Sequence, residues 1–457
     1  MNDVLTTAWE ALQLPAASLT RLSIVGHGAL PSAFAVTEFA AGSVGAAALA
    51  LSELIAAGTG TAPFVRVDRR LASLWFGSSI QPIGWEVPPP WDAIAGDYRS
   101  SDGWIRLHTN APLHRAAAVR VLDCPEERSA VAEAVSRWSA DDLEASVVAA
   151  GGCAAAMRTV AAWNTHPQGA AISSEPLIDV GRFSCAPPQW RPSAARPLDG
   201  LKILDLTRVL AGPIATRFLA GYGADVLRID PPGWDEPAVA PDVTLGKRCA
   251  RLDLERPDDR RRFEALLAET DVLVHGYRPG ALDGLGYDAT TRRRLRPDLI
   301  DVSLDAYGWT GPWKERRGFD SLVQMSAGIA EAGMRWKGAD QPTPLPVQAL
   351  DHAAGYLIAA AAIAGVTRRL LHDEASTSRL SLARTAQALI DAGPFLGDAP
   401  MWPARSNADL SNVVEATDWG PARRVAPPAI VDGAPMGWSH AASRLGSADA
   451  RWAAGPK

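Results

Sequence analysis

The chain has 457 residues, 47% of them hydrophobic and 21% charged, with a formal net charge of −6 and a pI near 5.8. Its composition excludes wholesale disorder, its length calls for two or three folded units, and its acidic balance gives no reason to expect nucleic acid or an anionic membrane as a main partner. Four widely spaced cysteines (Cys124, Cys153, Cys185 and Cys249) contain no C-x-x-C pair, so neither a metal site nor a disulfide framework is indicated, and a reducing cytoplasm is expected.

At the start, "MNDVLTTAWEALQL" carries Asp3 and Glu10 where a secretory signal would want positive charge, so no targeting segment is read. Residues 1–77 form an N-terminal segment with an Ala-rich helix, and 78–185 a small α/β unit. In that unit "SSDG" sits at a hairpin turn, and "CPEERSAVAEAVSRW" (124–138) and "SADDLEASVVAAGG" (139–152) read as helices. Residues 186–200 are a Pro- and Ser-rich linker.

From 201 to 390 the pattern becomes regular. Apolar strand-like runs at 201–206, 224–230, 271–277 and 299–308 alternate with helical patterns at 212–223, 256–270 and 288–296. This order predicts an α/β fold with an open, mostly parallel Rossmann-like sheet, helices on both faces, and ligand loops beginning at Thr207, His275 and Asp305. The first strand is followed by "TRVLAGP" and not by G-x-G-x-x-G, which disfavours nicotinamide chemistry; "GYGADV" at 221 reads as a helix end and a turn. The basic run 290–299 reads as a solvated helix face. Residues 391–457 are expected to pack back on the large domain.

Two Ala-rich stretches, after residues 40 and 353, read as small-residue helices too short in uninterrupted apolar length to span a bilayer. "VTEFAAGSVGAAALA" (36–50) set beneath "ALDHAAGYLIAAAAI" (349–363) places Glu38 against Asp351, an offset of 351 − 38 = 313, and matches Ala40, Ala41, Gly42 and Ala46 to Ala353, Ala354, Gly355 and Ala359. Local pattern alone makes Asp351 a helix cap, since Asp satisfies the free N–H groups of a first turn.

The motifs "LDGLKILDLTRVLAGP" (198–213), "GADVLRIDPPG" (223–233), "GKRCARLDL" (246–254), "DVLVHGYRPGALDGLG" (271–286) and "AYGWTGPWKERRGFD" (306–320) stand in one order. In that order and spacing the chain resembles the class III CoA-transferase family, which includes formyl-CoA and carnitine CoA-transferases and 2-methylacyl-CoA racemases. The resemblance covers about 350 residues, with the halves in permuted or trimmed-tandem order: 30–195 is similar to a second half and 198–390 to a first half. It implies that Asp351 is a nucleophile attacking an acyl-CoA thioester, with capping as a subsidiary role and the helix dipole keeping it ionised. Glu38 would be its inactive counterpart in the leading copy.

The resemblance further implies that Arg208, Val209 and Leu210, together with Lys247, Gly276 and Tyr277, lie along the CoA nucleotide. An arginine common in the family is replaced by Gly284, which puts one phosphate contact in doubt. Gly308 and Gly311 are candidate oxyanion donors, and His352 a further one. The expected substrates are acyl-CoA and a small carboxylic acid, with no permanently bound cofactor and a homodimeric assembly. Two other readings stay open. One is a non-catalytic acyl-CoA-binding or scaffold protein. The other is a racemase, although the family's racemising histidine is Phe319 here and His352 or His275 would have to substitute.

Overall fold

Seven strands form the central sheet of the computed structural model, which describes residues 3–394, 401–402 and 404–453. Parts of the N-terminal segment (1–2) and of the expected C-terminal segment (395–400, 403 and 454–457) lie outside these described residues. The strands are β1 (Asp179–Ser184), β2 (Lys202–Leu206), β3 (Asp225–Asp230), β4 (Lys247–Arg251), β5 (Val272–His275), β6 (Ile300–Asp305) and β7 (Glu374–Ser381). Their spatial order is β4-β3-β2-β5-β6-β7-β1. All neighbours are parallel except the β7–β1 pair, which runs antiparallel with Glu374 opposite Ser184. Inner strands such as β5 and β6 are buried along their whole length, as expected where helices cover both faces.

The sequence placed 179–184 at the end of the small unit, whereas the chain there forms the edge strand of the large sheet. β1 is mostly exposed or half-buried, so it shows no apolar alternation; it is recruited by the open backbone groups of β7. The small unit is an antiparallel sheet of Gly96–Arg99, Trp104–Leu107 and Ala154–Ala156, with the expected hairpin turn between the first two strands. Its own core includes Tyr98, Ile105, Leu107, Val131, Leu143 and Val147.

Six helices matter for the site: α1 (Asp3–Leu12), α2 (Val36–Thr59), α3 (Arg69–Trp75), α4 (Ala211–Gly221), α5 (Asp320–Ser326) and α6 (Ala349–His372). The repeated stretches are α2 and α6, each 24 residues long, packed against one another, with Glu38 and Asp351 both third in their helix. One expectation needs correcting: both helices run for 24 residues, through isolated polar residues such as Ser43 and Thr367, and are long and apolar enough to cross a membrane. Here the same surfaces are buried in protein, 89% and 100% of the most apolar windows of α2 and α6 respectively.

Small residues set how closely α6 approaches its neighbours. A Cβ on Gly355 would lie 2.6 Å from the Ala211 carbonyl oxygen of α4, and one on Gly365 would lie 2.8 Å from Ile300 Cγ2 of β6. Replacing a helix glycine by alanine normally gains about 1 kcal/mol of helix propensity. At Gly355 the obstacle is backbone, and overpacking costs about 1–3 kcal/mol. Gly355→Ala should therefore lower stability in urea unfolding by about 1–2 kcal/mol, while Gly284→Ala, with nothing near its would-be Cβ, should be neutral or stabilising. Equal effects at the two positions would show that α6 does not press on α4.

Candidate active site

The strand order reverses between β2 and β5, and the carboxyl ends of strands beside such a reversal are where open α/β sheets offer a crevice to ligands. Arg208, Val209 and Leu210 leave β2 there, and Gly276 and Tyr277 leave β5. A Cβ on Gly276 would sit 3.9 Å from Thr207, so the two loops are neighbours. The Arg208 guanidinium lies over the Trp234 ring at 4.6 Å and the Tyr277 ring at 5.3 Å. Val209 adopts φ +64°, a left-handed backbone that β-branched residues rarely take, and donates its N–H to Glu236 Oε1 at 2.7 Å. Glu236 also accepts from Trp234 Nε1 and pairs with buried Arg228, both at 2.8 Å.

Five of the six residues expected along the nucleotide thus converge on this crevice. Lys247 does not join them: its ammonium is fully buried, bonded to Asp205 at 3.0 Å and to the Pro213 carbonyl at 2.8 Å. It anchors the first turn of α4 to β2, and its charge is neutralised beneath the surface a phosphate could reach. Trp234 and Glu236, which organise the Arg208 loop, were not foreseen, because they stand in an irregular segment whose spacing carries no signal.

Asp351 sits in the first turn of α6, buried to 8% exposure. Gly355, one turn further on, packs on Ala211, the residue after Leu210, so this turn lies beside the crevice loops. The capping role expected of Asp351 belongs to another residue. Asp320 of α5 accepts the Leu350 N–H at 2.9 Å and the Asp351 N–H at 3.0 Å, and its second oxygen accepts from the Gln324 amide, so the free donors of the helix start are met from outside. Asp320 and Gln324 owe these roles to tertiary contact, and no sequence spacing announces them.

This arrangement also corrects the expectation that the helix start keeps Asp351 ionised. Burial first, and then the Asp320 charge, push the Asp351 carboxyl well above the ordinary carboxylate range. Asp320 is pushed up to about 6 by burial, against three hydrogen bonds that favour its anion. Within the pair, Asp320 takes the negative charge first and Asp351 ionises after it.

His352 turns away into packing. It has no exposure, its ring stacks on Phe76 at 5.2 Å, and burial pushes it down to about 3, so it is a neutral core residue. His275 Nε2 lies 3.1 Å from Asp301, at the end of β5. The Gly308 N–H is donated to Asp305 at 2.8 Å, which spends one of the expected oxyanion donors, and Gly311 is held close against Gln168. A histidine that sequence did not single out, His108 of the small unit, stacks face to face on Phe319 at 3.7 Å, next to Asp320. Beside it a cavity of about 310 Å³ is lined by Trp91, Arg106, Gln324, Val347 and Gln348, so it abuts the start of α6. Glu38, at the matching place in α2, pairs instead with Arg69 of α3.

Residues 198–406 match the model of CoA-transferase family III. Over 199 residues the chain is 34% identical to the acetyl-coenzyme A transferase nodX of Hypoxylon pulicicidum (41% of this chain, 33% of that protein). It is likewise 34% identical over 199 residues to the succinyl-CoA:glutarate CoA-transferase of Mus musculus (40% of this chain, 44% of that protein). The crystal structure of Rv3272 from Mycobacterium tuberculosis aligns with a TM-score of 0.40 at 29% identity, over 43% of this chain and 58% of that one. The chain therefore spans between a third and somewhat over half the length of these relatives.

Because the folded value of Asp351 lies above its unfolded value, the native state holds this proton longer than the unfolded chain does. The stability it contributes is full below the unfolded value and is lost as pH rises through the folded one. Asp351→Asn removes that loss, so the variant should melt above the parent, with a gap that widens from pH 5 to pH 9 in thermal melts. A gap that is flat or reversed would rule out the buried like-charge pair.

Proposed function

We propose that the protein moves CoA from an acyl-CoA donor to a carboxylic acid acceptor through covalent intermediates on Asp351. The observation that carries this reading is the contact of Gly355 with Ala211, which sets the Asp351 turn beside the Arg208–Leu210 loop at the sheet's reversal point. Relatives named as CoA-transferases support the reaction class. The crevice suits CoA in kind: the guanidinium of Arg208 can meet a phosphate, and the Trp234 and Tyr277 rings offer flat surfaces to an adenine.

In this mechanism the ionised Asp351 carboxylate attacks the thioester carbonyl. A C–O bond forms, the C–S bond breaks, and CoA leaves as its thiolate, giving a mixed anhydride. The thiolate then attacks the aspartyl carbonyl and expels the donor acid as a carboxylate, leaving an aspartyl-CoA thioester. The acceptor carboxylate attacks this thioester to form a second anhydride, and the released thiolate takes up the acceptor acyl group, regenerating the Asp351 carboxylate. No step needs a net proton transfer, so positioning and charge carry the catalysis. Raised by burial first and then by the Asp320 charge, the Asp351 anion is more basic than an ordinary carboxylate and correspondingly more nucleophilic.

A homodimer in the cytoplasm is part of the same reading; four cysteines outside any disulfide suit a reducing compartment. The alternative, an acyl-CoA-binding protein without catalysis, draws on the buried Lys247, which leaves fewer cations for phosphates than expected.

Asp351→Asn should lower kcat for CoA exchange between two acids by at least about a thousandfold. Hydroxylamine added with acyl-CoA should inactivate the parent by forming a hydroxamate at residue 351, found by peptide mass spectrometry. Full exchange by the variant, or no modification of the parent, refutes the covalent role. Asp320→Asn should move the rising limb of the kcat/KM pH profile to lower pH, since it removes the charge that, after burial, raises Asp351. A limb that stays in place would show that the two carboxylates do not interact.

A further inference from the structure

At the far end of α6, Arg368 lies 17 residues beyond Asp351, about 25 Å along the helix axis. A second cavity, of about 350 Å³, opens there, lined by Gln13, Pro15, Glu53, Arg182, Arg368 and His372, among others. It is separate from the reaction site and is independent of the reading above.

Its charges are unevenly matched. Arg368 is 5% exposed; one terminal nitrogen donates to the Leu12 carbonyl at the end of α1, and the other, Nη1, is buried with no hydrogen-bond partner among the described residues. Arg182 of β1 also faces the cavity, held by Gln13, with Glu374 at 3.9 Å as its acidic neighbour. Glu53, the acidic residue in the lining, is paired with Arg21. A buried guanidinium beside a second guanidinium is costly unless an anion joins them. Burial first, and then the Arg182 charge, push Arg368 down to about 10, against the opposing pull of Glu374.

We propose that the cavity between Arg182 and Arg368 binds a small oxyanion, a carboxylate or phosphate group, whose oxygens accept from the free Arg368 Nη1 and from Arg182. The forked geometry of guanidinium groups suits planar or tetrahedral oxyanions better than halides. Apolar neighbours Leu14, Pro15 and Leu371 leave room for a short carbon chain on the ligand.

The test is thermal unfolding of the whole chain, and of Arg182→Gln and Arg368→Met, with sodium phosphate, sodium succinate or sodium chloride at matched ionic strength. Phosphate, succinate or both should raise the parent's Tm saturably by at least about 2 °C over chloride, and the gain should vanish in both variants. Response to phosphate alone identifies a phosphate-bearing ligand, and response to succinate alone a carboxylate. Arg182→Gln alters a partly exposed residue, so it reports even if Arg368→Met fails to fold. Equal shifts in all three salts, or a gain retained by Arg182→Gln, overturn the proposal.

Discussion

A carboxylate that does not react holds the one expected to react in place. Asp320 reaches from α5 to the open donors of α6 and satisfies them, which frees the Asp351 side chain from the capping role its position would otherwise impose. Two acids buried side by side carry an electrostatic cost, accepted because the hydrogen bonds fall on one of them. The result is an asymmetric pair: an acid whose anion is partly supported by hydrogen bonds and has a structural task, and a neighbour whose charge is raised further in energy.

The two 24-residue helices give an internal comparison. At the same helical position, Asp351 faces another carboxylate and Glu38 faces the guanidinium of Arg69. An ion-paired Glu38 has its charge spent on a neighbour, whereas Asp351 has no such partner among the described residues. The same Ala-Ala-Gly, starting two positions after each acid, thus accompanies opposite electrostatic settings, because the elements packed against each helix differ. Packing follows the same logic: Gly355 gives way to the backbone of α4, and that approach brings the end of β2 to the start of α6.

Much of the fold was legible from period and punctuation. The alternation from 201 to 308 announced parallel strands β2, β3, β5 and β6, and the loops that follow β2 and β5 were marked as ligand loops before their contact was known. Where reading failed, the cause was tertiary. β1 has no apolar alternation, because its pairing with β7 is made by backbone. Lys247 looked like a phosphate ligand in a motif, yet the depth at which β4 runs places its ammonium on Asp205. Asp320 stands 31 residues before Asp351, and no spacing rule links a side chain to a helix start formed by a distant segment.

The left-handed Val209 carries a consequence for recognition. A branched side chain in that backbone region is held there at a cost of about 1–3 kcal/mol, which the Glu236 hydrogen bond and the Arg208 stacking help to offset. The loop consequently has its shape before any ligand arrives. A ligand bound at that loop would lose little to ordering it, so recognition there would rest on shape.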